Sequence, residues 1–306
     1  MPDDPSYPGL LLGTAPDSWG VWHPSGDPLQ TPWRRYLDEA AAAGYRRSEL
    51  GPLGYLPADP GVVREECARR GLALTGGTVA ARLHRGRAAL GDARAACDAV
   101  MAVIGPAGAR HLVVLPEGYT DADGRVVASP TLSGGEWDAL ARGMSELGRY
   151  VADRHGAVLA FHSHADSHVG TRAQLERLLE GTDPDAVGLC LDTGHAAYCG
   201  ADRLRIVADY PDRVRYVHLK QVAPAVLARV RAEGLGFAPA VRLGAMVEPP
   251  LGDPDMPPLL AALAGLGREL HCVVEQDMYP CDFDAPLPIA ARTLEYFRAC
   301  GLRVAG

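Results

Sequence analysis

Along this chain, short apolar runs that finish in polar residues alternate with stretches whose apolar positions return every three to four residues. The runs at Leu10–Thr14, Tyr45–Leu50, Leu72–Thr75, His111–Leu115, Ala157–Phe161, Val187–Leu191, Val214–Leu219 and Leu270–Val274 predict eight strands. The intervening stretches predict helices near Pro32–Ala43, Pro60–Arg70, Arg87–Ile104, Gly135–Arg154, Arg172–Leu179, Ala201–Tyr210, Pro257–Leu266 and Leu287–Cys300. Thr31 is placed to cap the first helix, while Gly44, Gly71 and Gly156 stand where helices end. Eight strands alternating with eight helices predict an α/β fold, a (β/α)8 TIM barrel forming a single domain over residues 1–306. A doubly wound open sheet would also alternate, but no GxGxxG follows the first strand.

One segment breaks the rhythm. Between the seventh strand and the next helix lies a long loop, Gln221–Met256, with one predicted helix at Pro224–Glu233 followed by a Gly- and Pro-dense stretch. At the catalytic face of a barrel such a loop serves as a lid or contacts substrate; the plainer alternative is a surface insertion.

The chemistry gathers at the ends of the last four strands. His162, Ser163 and His164 follow the fifth, Asp192 and His195 the sixth, His218 and Lys220 the seventh, and Glu275, Gln276 and Asp277 the eighth. Buried strands fix position and their C-terminal ends face the barrel mouth, so oxygen and nitrogen ligands from four successive strands can converge on one divalent metal. Each residue alone could be an ordinary polar strand end.

Composition then narrows the class. The chain has 306 residues, 47% hydrophobic and 22% charged, enough for a large core. A net charge of −8 argues against a nucleic-acid surface, which relies on clustered Lys and Arg. The seven cysteines are scattered, odd in number and without CxxC spacing, and read as reduced thiols filling the core of a cytoplasmic protein. The N-terminal MPDDPSYPGLLLGTAP lacks the basic region of a signal peptide, and no segment approaches the ~20 apolar residues of a membrane span.

The motifs APDSWGVW (15–22), SELGPLGYLP (48–57), HSHADSHVGT (162–171), LCLDTGHAAYCG (189–200), YVHLKQV (216–222) and VEQDMYPCDFDAPLPIA (274–290) together resemble the xylose-isomerase-like barrels of the sugar phosphate isomerase/epimerase superfamily. Within it the chain is most similar to the inosose (2-keto-myo-inositol) dehydratase branch. The resemblance implies a metal held by one side chain from each of strands five to eight, commonly Glu, Asp, His and Glu. Carried over by position, these fall on His162, Asp192, His218 and Glu275, with His162 replacing the usual first carboxylate. Isomerases and epimerases of the superfamily pass protons between two facing carboxylates, so this replacement shifts the weight toward elimination. Spacing alone leaves open whether His162 or His164 is the ligand.

Two imidazoles and two carboxylates suit Mn2+ or Co2+, with Zn2+, Fe2+ or Mg2+ as alternatives. The implied reaction is dehydration of a small-molecule polyol or sugar ketone: the metal polarises the ketone, a base among Glu275, His195 and His164 removes the α-proton, and Lys220 or a histidine assists departure of hydroxide. Isomerisation or epimerisation on the same scaffold is the alternative. Lys220 lies two residues past His218 and shares its side of the strand, whereas His195 is expected in the loop after strand six. Trp19, to stack on a ring, and Glu49, His168 and Asp277, to bind hydroxyls, are expected substrate contacts; Asp17, Glu117, Arg242 and Glu248 are further mouth-facing residues. Partners beyond the small molecule are not expected, save that barrels of this kind often form homo-oligomers.

Overall fold

The computed structural model describes residues 6–24 and 26–303; the first five residues of the N-terminal stretch considered above, and Ser25 in the loop after the first strand, lie outside them. Nine strands form one sheet with every pairing parallel: β1 (Leu10–Thr14), β2 (Arg47–Ser48), β3 (Ala73–Leu74), β4 (Gly76–Ala81), β5 (His111–Pro116), β6 (Val158–His162), β7 (Gly188–Asp192), β8 (Val214–Leu219) and β11 (Leu270–Val274). The order is β3-β2-β1-β11-β8-β7-β6-β5-β4. The two ends of that order are one run of chain, because β3 and β4 are separated only by Thr75. Thr75 N–H donates to Ser48 O at 2.9 Å and Leu50 N–H donates to Gly76 O at 3.0 Å, which carries the ladder from β2 onto β4 and closes the ring. The fold is the expected (β/α)8 barrel, with its third station running further than Leu72–Thr75 predicted. The GGTVAA stretch is strand too, although its glycines argue against one by propensity.

The helices are α1 (Trp33–Ala43), α2 (Pro60–Ala68), α3 (Arg87–Ile104), α4 (Gly134–His155), α5 (Arg172–Gly181), α6 (Thr193–Tyr198), α7 (Arg203–Asp209), α8 (Pro224–Glu233), α9 (Phe237–Arg242), α10 (Met256–Ala264) and α11 (Pro286–Ala299). They wrap the barrel through amphipathic faces. On α3 the buried residues Leu90, Ala93, Cys97, Val100, Met101 and Ile104 recur at helical spacing and pack toward the strands. Thr31 does not cap α1: Pro32 occupies that position without a side-chain bond, and the Thr31 hydroxyl is buried without a partner. Gly44 does end α1, in the left-handed conformation at φ 105°. The single helix expected over Ala201–Tyr210 is preceded by a separate one, α6, starting directly from β7.

The long loop after β8 folds into more than the one expected helix. β9 (Gln221–Val222) pairs antiparallel with β10 (Met246–Val247), and α8 and α9 lie between them. Val222, Leu227, Phe237, Val241 and Met246 form a small core of their own with Ala165 and Ala197, so the excursion is a packed cap on the barrel mouth. The seven cysteines are unpaired, five of them buried, in line with their reading as core filler. Among the described residues no helix is long and apolar enough to cross a membrane.

Candidate metal centre

Side chains two apart along a strand share a face, and the inward faces stack in layers along the barrel axis. The middle layer is Val113, Ala160, Cys190, Tyr216 and Val273, with Ala15. One step further toward the mouth the same stripes deliver His162 on β6, Asp192 on β7, His218 on β8 and Glu275 just past β11. A register shift at Leu189/Cys190 sets Asp192 directly beside His218. One ligand atom from each of these four lies within 4.8 Å of every other. Lys220, next on the β8 stripe, reaches the same point.

Hydrogen bonds fix the cluster before any cation enters. Asp192 caps α6, its Oδ1 accepting from His195 N at 2.6 Å, so Oδ2 is left for the centre, 3.2 Å from His162 Nε2. Thr193 Oγ1 donates to Lys220 O at 2.6 Å and accepts from Lys220 N at 2.8 Å, pinning the start of α6 to the end of β8. That approach is so close that a Cβ on Gly194 would sit 2.5 Å from Lys220 Cγ, which only glycine avoids. His218 bonds Glu49 Oε1 through Nε2 at 2.8 Å. Its Nδ1, which has no hydrogen-bond partner, faces Glu275 Oε2 at 3.0 Å and Asp192 Oδ2 at 3.6 Å.

This is the arrangement a divalent cation needs. With Nε2–H given to a carboxylate, Nδ1 presents a lone pair toward two carboxylate oxygens, a repulsive geometry unless a proton or metal lies between them. Four buried or nearly buried acids, Asp17, Asp192, Glu275 and Asp277, face one lysine, while a fifth, Glu49, faces His218. Lys220 Nζ lies 2.8 Å from Asp277 Oδ2, 3.0 Å from Glu275 Oε2, 3.4 Å from Asp192 Oδ2 and 3.7 Å from Asp17 Oδ2. Burial favours neutral Lys220, but Asp192, Asp277 and Glu275 outweigh it and keep the ammonium charged well above its usual range. Burial likewise raises Glu275, yet His218 and Lys220 hold its carboxyl at about 2. Burial lowers His218, and its neighbours Cys190, Glu275 and Glu49 more than reverse this. A metal at Nδ1 would take the place of that proton. Asp17 goes the other way: burial and the Glu275 charge push its carboxyl well above the usual range.

Two further histidines stand beside the cluster with their ring centroids 3.8 Å apart. His164 is bonded through Nδ1 to Ala165 O at 2.7 Å, which makes Nδ1 the donor and leaves the Nε2 lone pair free; burial and His162 lower its pKa to about 4. His195 accepts Ala165 N–H on Nδ1 at 3.2 Å, so its Nε2 carries the hydrogen, and burial keeps it neutral. The sequence reading placed His195 in a loop; it sits on α6, whose six residues are too few to show a helical period.

The four histidines, Lys220 and Glu275 line one cavity of about 550 Å³ at the mouth, together with Asp17, Glu49, Thr78 and Asp277, and Asp192 lies fully buried behind it. Two expected substrate contacts lie elsewhere. Trp19 is fully buried, its Nε1 donating to Glu39 Oε2 at 2.9 Å and its ring edge-on to Tyr36, because the short 3-10 turn Pro16–Trp19 directs it into the core. His168 is bonded through Nε2 to Ser129 O and packs on His84 away from the cavity. The aromatic wall is Trp22 instead, stacked between Tyr279 (5.3 Å) and Phe237 (6.5 Å) from the cap. The WGVW spacing could have flagged Trp22; nothing local marked Phe237. Of the remaining candidates, Glu117 is paired with Arg82 and Arg85, Arg242 bonds Ala122 O, and Glu248 is paired with Arg292.

A closed parallel barrel that gathers His, Asp, His and Glu from consecutive strand ends is a scaffold for a divalent cation. The chain belongs to the xylose isomerase-like TIM barrel family, whose model matches residues 37–300. It is 30% identical over 304 residues to the inosose dehydratase of Geobacillus thermodenitrificans, covering 96% of this chain and 98% of that one. It is also 32% identical over 256 residues to the rhizopine catabolism protein MocC of Rhizobium meliloti, covering 82% and 76%. Among solved structures it resembles the IOLI protein with a bound zinc atom, with a TM-score of 0.69 and 16% identity over 93% of this chain and 96% of that one.

Proposed function

We propose that the protein is a metal-dependent lyase that removes water from a polyhydroxy ketone of the 2-keto-myo-inositol (inosose) type. The observation that carries this reading is the four-ligand cluster with one lysine among its carboxylates, in a chain similar over nearly its whole length to an inosose dehydratase. Mn2+ or Co2+ suits the mixed imidazole and carboxylate donors of His162, Asp192, His218 and Glu275. When bound, such an ion polarises a ketone oxygen and stabilises charge developing on it.

The chain's own groups supply the proton transfers. His164 Nε2 has a free lone pair and takes the α-proton, and its electron pair becomes the new C=C bond. Lys220, held charged by three carboxylates, steadies the negative charge that accumulates. The β-carbon–oxygen bond breaks, and the hydroxyl leaves as water with a proton from Asp17, the carboxyl in the cavity that burial and the Glu275 charge push well above the usual range. His195 Nε2–H, Glu49 and Asp277 orient hydroxyls, while Trp22 covers the ring's C–H face. The same reading makes it a cytoplasmic enzyme of inositol breakdown acting on small molecules, with homo-oligomers as the expected assembly.

Proton NMR in D2O of 2-keto-myo-inositol with Mn2+- or Co2+-loaded protein tests it. Loss of ring-proton signals with a deoxy dione product is expected. Deuterium uptake with every hydroxyl kept would replace elimination by isomerase or epimerase chemistry on the same cluster.

A further inference from the structure

A ring that carries a hydroxyl or oxo group on every carbon has little use for apolar wall beyond a stacking aromatic, yet this cavity extends well past its polar end. From Glu49, which holds His218, the lining passes through Thr78, whose hydroxyl is 3.4 Å from Glu49 Oε2. Beyond Thr78 it continues into a lobe between the Gly51–Leu53 turn, β4 and α3. There the lining is Pro52, Leu53, Val79, Ala80, Ala96 and Val100, without one charged or hydrogen-bonding side chain. Gly77 of β4 lets α3 pack close, since a Cβ there would lie 2.6 Å from Val100 Cγ1, and α3 turns Ala96 toward the lobe, where a longer side chain would fill the gap. Water in such a lobe finds few partners, so an apolar group that displaces it is bound with a gain.

We propose that the substrate is a substituted polyhydroxy ketone, with an apolar alkyl or aryl group seated in the Leu53–Val79–Ala96–Val100 lobe while the ketone faces His218 and Glu275. The proposal deepens the dehydratase reading and rests on it for the identity of the ring. The lobe belongs to the same cavity as the metal centre, and its walls offer no counter-ion to a charged or phosphorylated substituent.

The test is calorimetric binding of myo-inositol and of its positional mono-O-benzyl ethers, one at a time, to the Mn2+-loaded full chain. At least one ether is expected to bind about tenfold or more tightly than the parent, the scale on which apolar pockets discriminate added carbon. Ala96→Phe, which fills the lobe from α3, brings that ether to within about twofold of the parent. Leu53→Asp, on a half-exposed turn whose change does not endanger the core, weakens the ether selectively as well. Ethers that bind no better than myo-inositol, or an advantage that survives both substitutions, would overturn the proposal. The readout needs no turnover, so a protein that binds the ether tightly but dehydrates no ketone would refute the dehydratase reading and leave the lobe assignment intact.

Discussion

The two ends of the barrel interior are built from the same residue types and behave in opposite ways. At the mouth, His162 and His218 lie among Asp192, Glu275 and Glu49, and His218 is held well above the usual histidine range against its own burial. At the base, His111 and His271 have ring centroids 5.0 Å apart and pack with Tyr216, whose hydroxyl is 2.7 Å from Thr75 Oγ1. Burial lowers both of these histidines, His271 to about 4 with help from His111 and Arg47, and the Nδ1 atoms of both are buried without partners. One strand carries the whole contrast. His271 on β11 and Glu275 just past its end lie four residues apart on the same face, one in the base and one in the metal cluster. Buried imidazole by itself is neutral and inert; carboxylates delivered by neighbouring strands turn it into a cation site.

Removing a carboxylate from the mouth should erase the difference most completely. Asp192→Ala takes away a ligand, the cap of α6 and a counter-charge to Lys220 together, so metal should be lost on dialysis and kcat/KM should fall by on the order of 10³-fold. Metal analysis beside the dehydration assay checks it, and a metal-free variant with full activity would refute the site. Glu49→Gln acts more gently: it keeps a hydrogen-bond acceptor for His218 Nε2–H but removes the charge behind it, and should weaken metal affinity by roughly 10- to 100-fold, read by chelator competition, with activity recovered at high metal.

The base offers the smallest and the converse test. The folded pKa of His271 lies below the unfolded value near 6.5, so the unfolded chain binds more protons and stability falls as pH drops from roughly 6.5 to 4. For this one group the loss is at most on the order of 3 kcal/mol. His271→Phe should shrink the difference between urea unfolding at pH 7 and pH 4.5 without changing metal content. An unchanged pH difference would mean the acid sensitivity resides elsewhere.

The barrel was legible because its strands are short apolar runs bounded by helices of clear period, and the ends of β1, β8 and β11 fall where the pattern puts them. The cluster was legible for the same reason: residues at strand ends have one direction to face. The misplacements share a different cause. Trp19 and Trp22 are three residues apart and chemically alike, and only the turn of Pro16–Trp19 decides which is core and which is wall. Similarly α6 is too short to leave a periodic signature, and the third strand is broken at Thr75 by glycines that tertiary hydrogen bonds override.

By itself, then, the sequence determined the alternation of elements, the closed α/β class and the gathering of candidate ligands at the strand ends, with His162 and His164 both in place, all of which follow from local period and from polar residues placed at strand ends. The tertiary structure alone decided what those ligands face: Glu49 behind His218 from 169 positions away, Asp277 on Lys220, Phe237 of the cap against Trp22, and the apolar lobe between β4 and α3. The reason is physical. Period and capping act over a few residues, whereas the charge and solvent exposure that set a site's chemistry are fixed by side chains that meet only when the barrel closes.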